Sequence, residues 1–194
     1  MTHNTQHDTP FIVGIGGTTR AGSSSERALA LALEAAEELG ACTQLIGAGE
    51  LQLPLYAPEH AHRTPEAIRL VEAIAAADGV VIASPGYHGG PSGLIKNALD
   101  YLEDLRDAPR TYLDNVPVGC IVCAHGWQAT TSTLQALRSV IHALRGWPTP
   151  FGAAVNSAAG GVADPDVRAQ LRLVGRQVVE LARLQRTARS VAHA

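Results

Sequence analysis

The chemistry of this chain concentrates between Gly16 and Glu26, where it reads Gly-Gly-Thr-Thr-Arg-Ala-Gly-Ser-Ser-Ser-Glu. An apolar run, Phe11-Ile12-Val13-Gly14-Ile15, precedes this stretch and an Ala/Leu-rich stretch follows it, which spells strand, loop and helix start. The unbonded N–H groups at a helix start, with the helix dipole behind them, favour an anion. Hydroxyls at Thr18, Thr19, Ser23, Ser24 and Ser25 add donors, and Arg20 adds a fixed positive charge. A phosphate group fits that chemistry. A Walker loop needs a lysine after its last glycine, and Gly22 is followed by Ser23. A Rossmann fingerprint needs a third glycine where Thr19 stands, and an acidic residue at a later strand end. The loop suits a single terminal phosphate. The plain alternative is a strand–helix turn closed by a capping box between Ser23 and Glu26, with Arg20 a solvated loop residue.

Two further loops carry residues that serve ligands. Pro85 to Gly93, Pro-Gly-Tyr-His-Gly-Gly-Pro-Ser-Gly, reads as irregular structure with an aromatic among glycines and prolines. Ala124 to Gln128, Ala-His-Gly-Trp-Gln, is the other. Cys120 and Cys123 have the letters of a redox pair, but they lie in an apolar strand-like run where residues three apart face opposite ways; they read as buried thiols. His125 and His142 lack a second ligand at metal spacing, so no metal is assigned. No Gly-x-Ser-x-Gly nucleophile motif occurs. Lys96 and Asp100 read as a surface ion pair, Asn97 as a tie between loop and helix, and Trp147 as a core or interface residue.

The elements that must position these loops alternate. A helix is expected over about 25–39, a strand over 43–46, and a helix after Thr64-Pro65 with Ile68, Val71 and Ile74 inward. Strands follow at 79–84 and 116–124, helices at 94–105 and 130–144, a last strand over 148–155, and a final helix from Pro165 to about Leu184. Five strands alternating with five helices predict a three-layer α/β fold, flavodoxin-like, with a five-stranded parallel sheet in the order 2-1-3-4-5. Ligands of such sheets sit beyond the C-terminal strand ends, where the three loops converge. Residues 1–10 are expected to be a disordered tail, 11–188 the domain, and 189–194 a flexible end.

With 46% hydrophobic and 17% charged residues, the 194-residue chain is globular, and its net charge of −3 argues against nucleic acid as a partner. Neither a membrane span nor a signal peptide is readable, and a cytoplasmic location is expected.

Ser84 to Tyr101, S-P-G-Y-H-G-G-P-S-G-L-I-K-N-A-L-D-Y, resembles the P-x-Y-[NH]-x-x-x-[PS]-G-x-[LI]-K-N-x-[LIV]-D motif of the NAD(P)H-dependent FMN reductases. Gly17, Thr18, Arg20 and Ser23 resemble that family's G-[ST]-x-R-x-x-S phosphate loop, and Thr149 to Asn156 its last strand. The resemblance implies FMN with NADPH or NADH as cofactors, and hydride transfer to flavin N5. It implies a homodimer, or a tetramer of paired dimers, and delivery of reduced flavin to a partner monooxygenase. By the same resemblance Thr18, Arg20, Ser23 and Ser25 hold the phosphate, while Pro85, Gly86, Tyr87, His88 and Gly89 pass along the ribityl chain and ring. His125, Gly126 and Trp127, in the third loop, complete the expected cofactor-binding set, with Trp127 stacking near the ring. Hydride transfer to flavin needs no side-chain acid, so no catalytic side chain is assigned. Arg106 and Arg110 are candidates for the nucleotide phosphate by charge alone. The chain departs from the family at Gly86, where an acidic residue is common, and at Ala124–Gln128, where a Gly-Gly pair is common. Three alternatives stay open: a quinone or azo reductase with tightly held FMN, an electron carrier without turnover, and a phosphate-binding module without redox chemistry.

Overall fold

The structure, a computed structural model, describes residues 9–192. Most of the expected N-terminal tail, and residues 193–194, lie outside them. Strands are β1 (Phe11–Gly16), β2 (Cys42–Ile46), β3 (Gly79–Tyr87), β4 (Gly90–Pro91), β5 (Pro117–Ala124), β6 (Trp147–Pro148) and β7 (Ala153–Asn156). Helices are α1 (Ser24–Glu38), α2 (Pro65–Ala76), α3 (Gly93–Asp100), α4 (Trp127–Ala143) and α5 (Pro165–Ala192), with a 3-10 turn over Tyr101–Leu105. The sheet order is β2-β1-β3-β5, with β6 and β7 both parallel to β5 on its far side. The expected order therefore holds, with the fifth position filled by a strand broken between Pro148 and Ala153.

Strand alternation divides the core. Ile12, Val81, Ile121 and Val155 face α1 and α5, whereas Val13, Val80, Ile82 and Val122 face α2, α3 and α4. Both faces of the parallel sheet are covered, as its unalternating sequence requires. Cys120 and Cys123 fall on opposite faces as expected, both as buried free thiols, and burial pushes each up to about 12. Cys42 is exposed. A thiol reagent should therefore label one cysteine of the native protein and all three after unfolding; three labelled at once in the native protein would contradict this core.

Several expectations need correction. In α2 the buried face is Ala67, Leu70, Ala73 and Ile74, and Ile68 is exposed, because small residues let this helix lie close to the sheet. Trp147 is 54% exposed, so it is not a core residue. Arg110 donates to the carbonyls of Ile74 and Ala77 at the end of α2, and Arg106 pairs with Glu103. Both arginines are thus engaged by the fold. The helix α5 runs past Leu184 to Ala192, so the expected flexible end falls partly on it.

The long loop before α2 is tied to α3 by side chains. Asn97 Oδ1 accepts Tyr56 N at 2.8 Å, and its Nδ2 donates to Pro54 O at 2.9 Å. Arg63 grips Asp104 with two bonds of 2.7 and 2.9 Å and lies 4.8 Å from the Tyr56 ring centroid. The guanidinium holds the Asp104 carboxyl below its ordinary value. A carboxylate depressed in the fold stabilises above its unfolded pKa, about 3.9, and loses that contribution as pH falls through the folded value. Asp104→Asn should therefore lower Tm at pH 7 and lower it progressively less below about pH 4. An unchanged difference down to pH 2 would show that the pair does not titrate with folding.

Candidate functional site

A cavity of about 530 Å³ opens at the C-terminal edge of β1, β3 and β5. All three expected loops contribute to it: Thr18, Arg20, Ser23 and Ser25 from the first, Pro85, Gly86 and Tyr87 from the second, His125 and Gly126 from the third. Arg20 is the fixed cation among its lining residues, and no carboxylate lines it.

The first loop is shaped by its own side chains. Ser23 is the N-cap of α1, and its Oγ accepts Glu26 N at 3.3 Å. The Glu26 carboxylate accepts Gly22 N at 2.8 Å, so the expected capping box closes one residue early. Ser23 and Ser25 are both buried, with their hydroxyl oxygens 3.4 Å apart. Ser24, half-buried, also lines the cavity. The N-cap side chain takes the Glu26 N–H and leaves those of Ser24 and Ser25 at the helix start for a guest. The Thr18 hydroxyl bonds the backbone of Arg20 in both directions, at 3.1 and 3.2 Å, and so holds the loop's shape. Arg20 is exposed and, among the described residues, makes no ion pair.

The second loop is regular, which corrects the sequence expectation. β3 continues through Pro85 to Tyr87 and turns back into β4, pairing Tyr87 with Gly90. His88 (φ 51°) and Gly89 (φ 86°) are the two turn residues, both left-handed as a tight hairpin of this hand demands. Buried Ser84 closes the base: its Oγ donates to Pro85 O at 2.8 Å and accepts Ser92 N at 3.0 Å. His88 and Gly89 form the hairpin tip and do not line the cavity. A Cβ on Gly86 would stand 2.9 Å from Thr133 Oγ1 and 3.3 Å from Ala129 O. Glycine there lets β3 and α4 meet and leaves the cavity wall flat.

In the third loop only His125 and Gly126 separate β5 from α4, because the helix begins at Trp127, earlier than the sequence indicates. Gly126 caps α4 without a side chain, so the first-turn N–H groups open toward the rim. Trp127 is 59% exposed and outside the lining. Sequence reasoning missed Cys123, Ala129 and Ser157. Ser157 follows β7 on the same sheet edge and bonds Ala124 O through its N–H at 2.8 Å; the strand-end rule applied to the fifth position would have found it.

The site thus has a phosphate-like end, with hydroxyls, helix-start N–H groups and one arginine, and a flat end of small residues beside a second helix start. Residues 10–161 match the family described as NADPH-dependent FMN reductase. The chain belongs to that family. FMN and a nicotinamide nucleotide, the cofactors expected, are those of this reductase family. The chain is 34% identical over 89 residues to an NADPH azoreductase of Bacillus sp. (strain OY1-2), an alignment covering 45% of this chain and 47% of that relative. It therefore spans about half the length of that protein. FerB, a flavoenzyme NAD(P)H:(acceptor) oxidoreductase from Paracoccus denitrificans, superposes with a TM-score of 0.72 at 19% identity, over 90% of this chain and 97% of that one. The apo form of an NADH:FMN oxidoreductase, EMOB, gives 0.68 at 21% identity over 91% and 90%. At these identities the two structures speak for the fold, and it is the flavodoxin-like one expected. Among the described residues no helix is long and apolar enough to cross a membrane.

Proposed function

We propose that the chain is an NAD(P)H-dependent FMN oxidoreductase of the flavin- and azo-reductase type. The observation that carries this reading is one cavity joining the hydroxyl-rich start of α1 to the flat wall at Gly86 and the start of α4, which has no side-chain cap. FMN, when bound, supplies the hydride chemistry between nicotinamide and acceptor. Arg20, the Ser23 and Ser25 hydroxyls and the N–H groups of Ser24 and Ser25 would hold its phosphate. Pro85, Gly86, Tyr87, His125 and Gly126 would flank the ring. The start of α4 offers donors and a positive dipole end to a ring edge that gains negative charge on reduction. Thr18 acts by keeping Arg20 in place, while His88, Gly89 and Trp127 stand at the rim, where the acceptor must approach.

Two further readings belong to this proposal. A homodimer, or a pair of dimers, would form on the α3–α4 side; Leu55, 85% exposed on the loop that Asn97 ties to α3, supports that face. The free thiols fit the cytoplasm, where a partner monooxygenase would draw reduced flavin. Steady-state kinetics separate the two modes of use. Parallel double-reciprocal lines for NADPH and an azo dye mean that FMN stays bound throughout. Intersecting lines with FMN as the varied substrate mean that flavin is released, as a monooxygenase requires. No turnover with either acceptor and either nucleotide would contradict the proposal.

A further inference from the structure

Four strand ends frame the cavity, and the fourth belongs to β7 through Ser157. The backbone there is fixed twice. The Ser157 N–H donates to Ala124 O at 2.8 Å, continuing the register that sets Ala124 opposite Asn156. Buried Asn156 accepts Ala158 N through its Oδ1 at 3.0 Å, which turns the chain directly after Ser157. Half-buried Ser157 thus lines the cavity with its backbone held. Among the described residues its hydroxyl makes no hydrogen bond within the protein.

The other hydroxyls of the cavity have duties at the α1 end. Thr18 bonds the backbone of Arg20, Ser23 caps α1, and Ser25 lies against Ser23. At the flat end Gly86, Ala124 and Ala129 carry no side-chain hydroxyl. Ser157 stands on the wall between these ends. On one side is Ala124, whose Cβ would be 3.3 Å from a Cβ on Gly86. On the other, the segment runs on to Val162, which packs in the core shared with α1. The part of FMN that joins phosphate to ring is the ribityl chain, a row of hydroxyls that need partners once water is excluded.

We propose that Ser157 is a flavin-binding residue from the fifth strand position, and that its hydroxyl holds the ribityl chain. The inference rests on the reading of this cavity as the FMN site. It assigns Ser157 a contact distinct from that of Arg20: riboflavin shares the ribityl chain with FMN, whereas lumiflavin has the ring without it.

Flavin fluorescence quenching with wild-type protein and Ser157→Ala would give Kd for FMN, riboflavin and lumiflavin. The serine's structural bond is made by its backbone N–H, which alanine keeps, so Tm should match wild type. FMN and riboflavin should each bind about fivefold more weakly, as loss of one neutral hydrogen bond implies, with lumiflavin unchanged. A loss for FMN alone would place the hydroxyl on the phosphate and overturn the assignment. Equal losses for all three flavins would show a disturbed loop and overturn it as well. No change for any of them would overturn it and leave the function proposed above standing. Failure of the wild-type protein to bind FMN would overturn both.

Discussion

Arg20→Ala should weaken FMN binding about tenfold and leave riboflavin, which lacks the phosphate, unaffected. Arg20 is exposed, so part of its charge is screened and the lower end of the range for a charge-assisted contact applies. Its geometry raises the effect above that of an ordinary surface pair. The Thr18 hydroxyl fixes the Arg20 backbone on both sides, and no carboxylate lines the cavity to compete with a phosphate. High salt should narrow the difference. Equal losses for FMN and riboflavin would mean that the substitution disturbs the loop and not a phosphate contact.

Gly175→Ala should cost about 3 kcal/mol or more and lower Tm by about 6–12 °C in a domain of this size. Helix propensity predicts the opposite sign, a gain of about 1 kcal/mol when glycine leaves a helix interior. Packing decides the outcome. A Cβ on Gly175 would lie 2.0 Å from the Ala32 carbonyl oxygen and 2.9 Å from its carbon, and backbone cannot swing aside as a side-chain tip can. Helices α1 and α5 would have to part. Since α1 carries Ser23, Ser24 and Ser25 at its start, FMN affinity should fall with stability. Thermal unfolding of the variant tests this directly; a Tm equal to or above wild type would refute the close approach.

The contrast between these two positions marks what a sequence can and cannot disclose. The loop before α1 was legible because its parts are local: strand, hydroxyls, arginine and helix start lie in one stretch, from Phe11 to Glu26. The sheet order was legible because apolar runs without alternation demand cover on both faces. Gly175 gave no local sign, since its reason is Ala32, far away in the chain. The hairpin at Tyr87–Gly90 was hidden by Pro85, which reads as a breaker, although β3 continues through it alongside Cys123. The early start of α4 was hidden because Gly126 caps it without the usual side chain. Ile68 was placed inward by helical spacing, whereas α2 turns its small residues Ala67 and Ala73 to the sheet and leaves Ile68 exposed.

The central claim is that this chain moves hydride from a nicotinamide nucleotide to FMN. Anaerobic mixing of the purified protein with excess FMN and NADPH, and separately with NADH, tests it most directly, with the flavin's visible absorbance followed against a protein-free control. The expected result is protein-dependent bleaching with at least one nucleotide. Catalytic loss of the whole FMN pool would identify free flavin as substrate, and loss of one bound equivalent would identify a retained cofactor serving another acceptor. Bound FMN that keeps its colour with both nucleotides would contradict the claim and leave an electron carrier or a non-redox binder in its place.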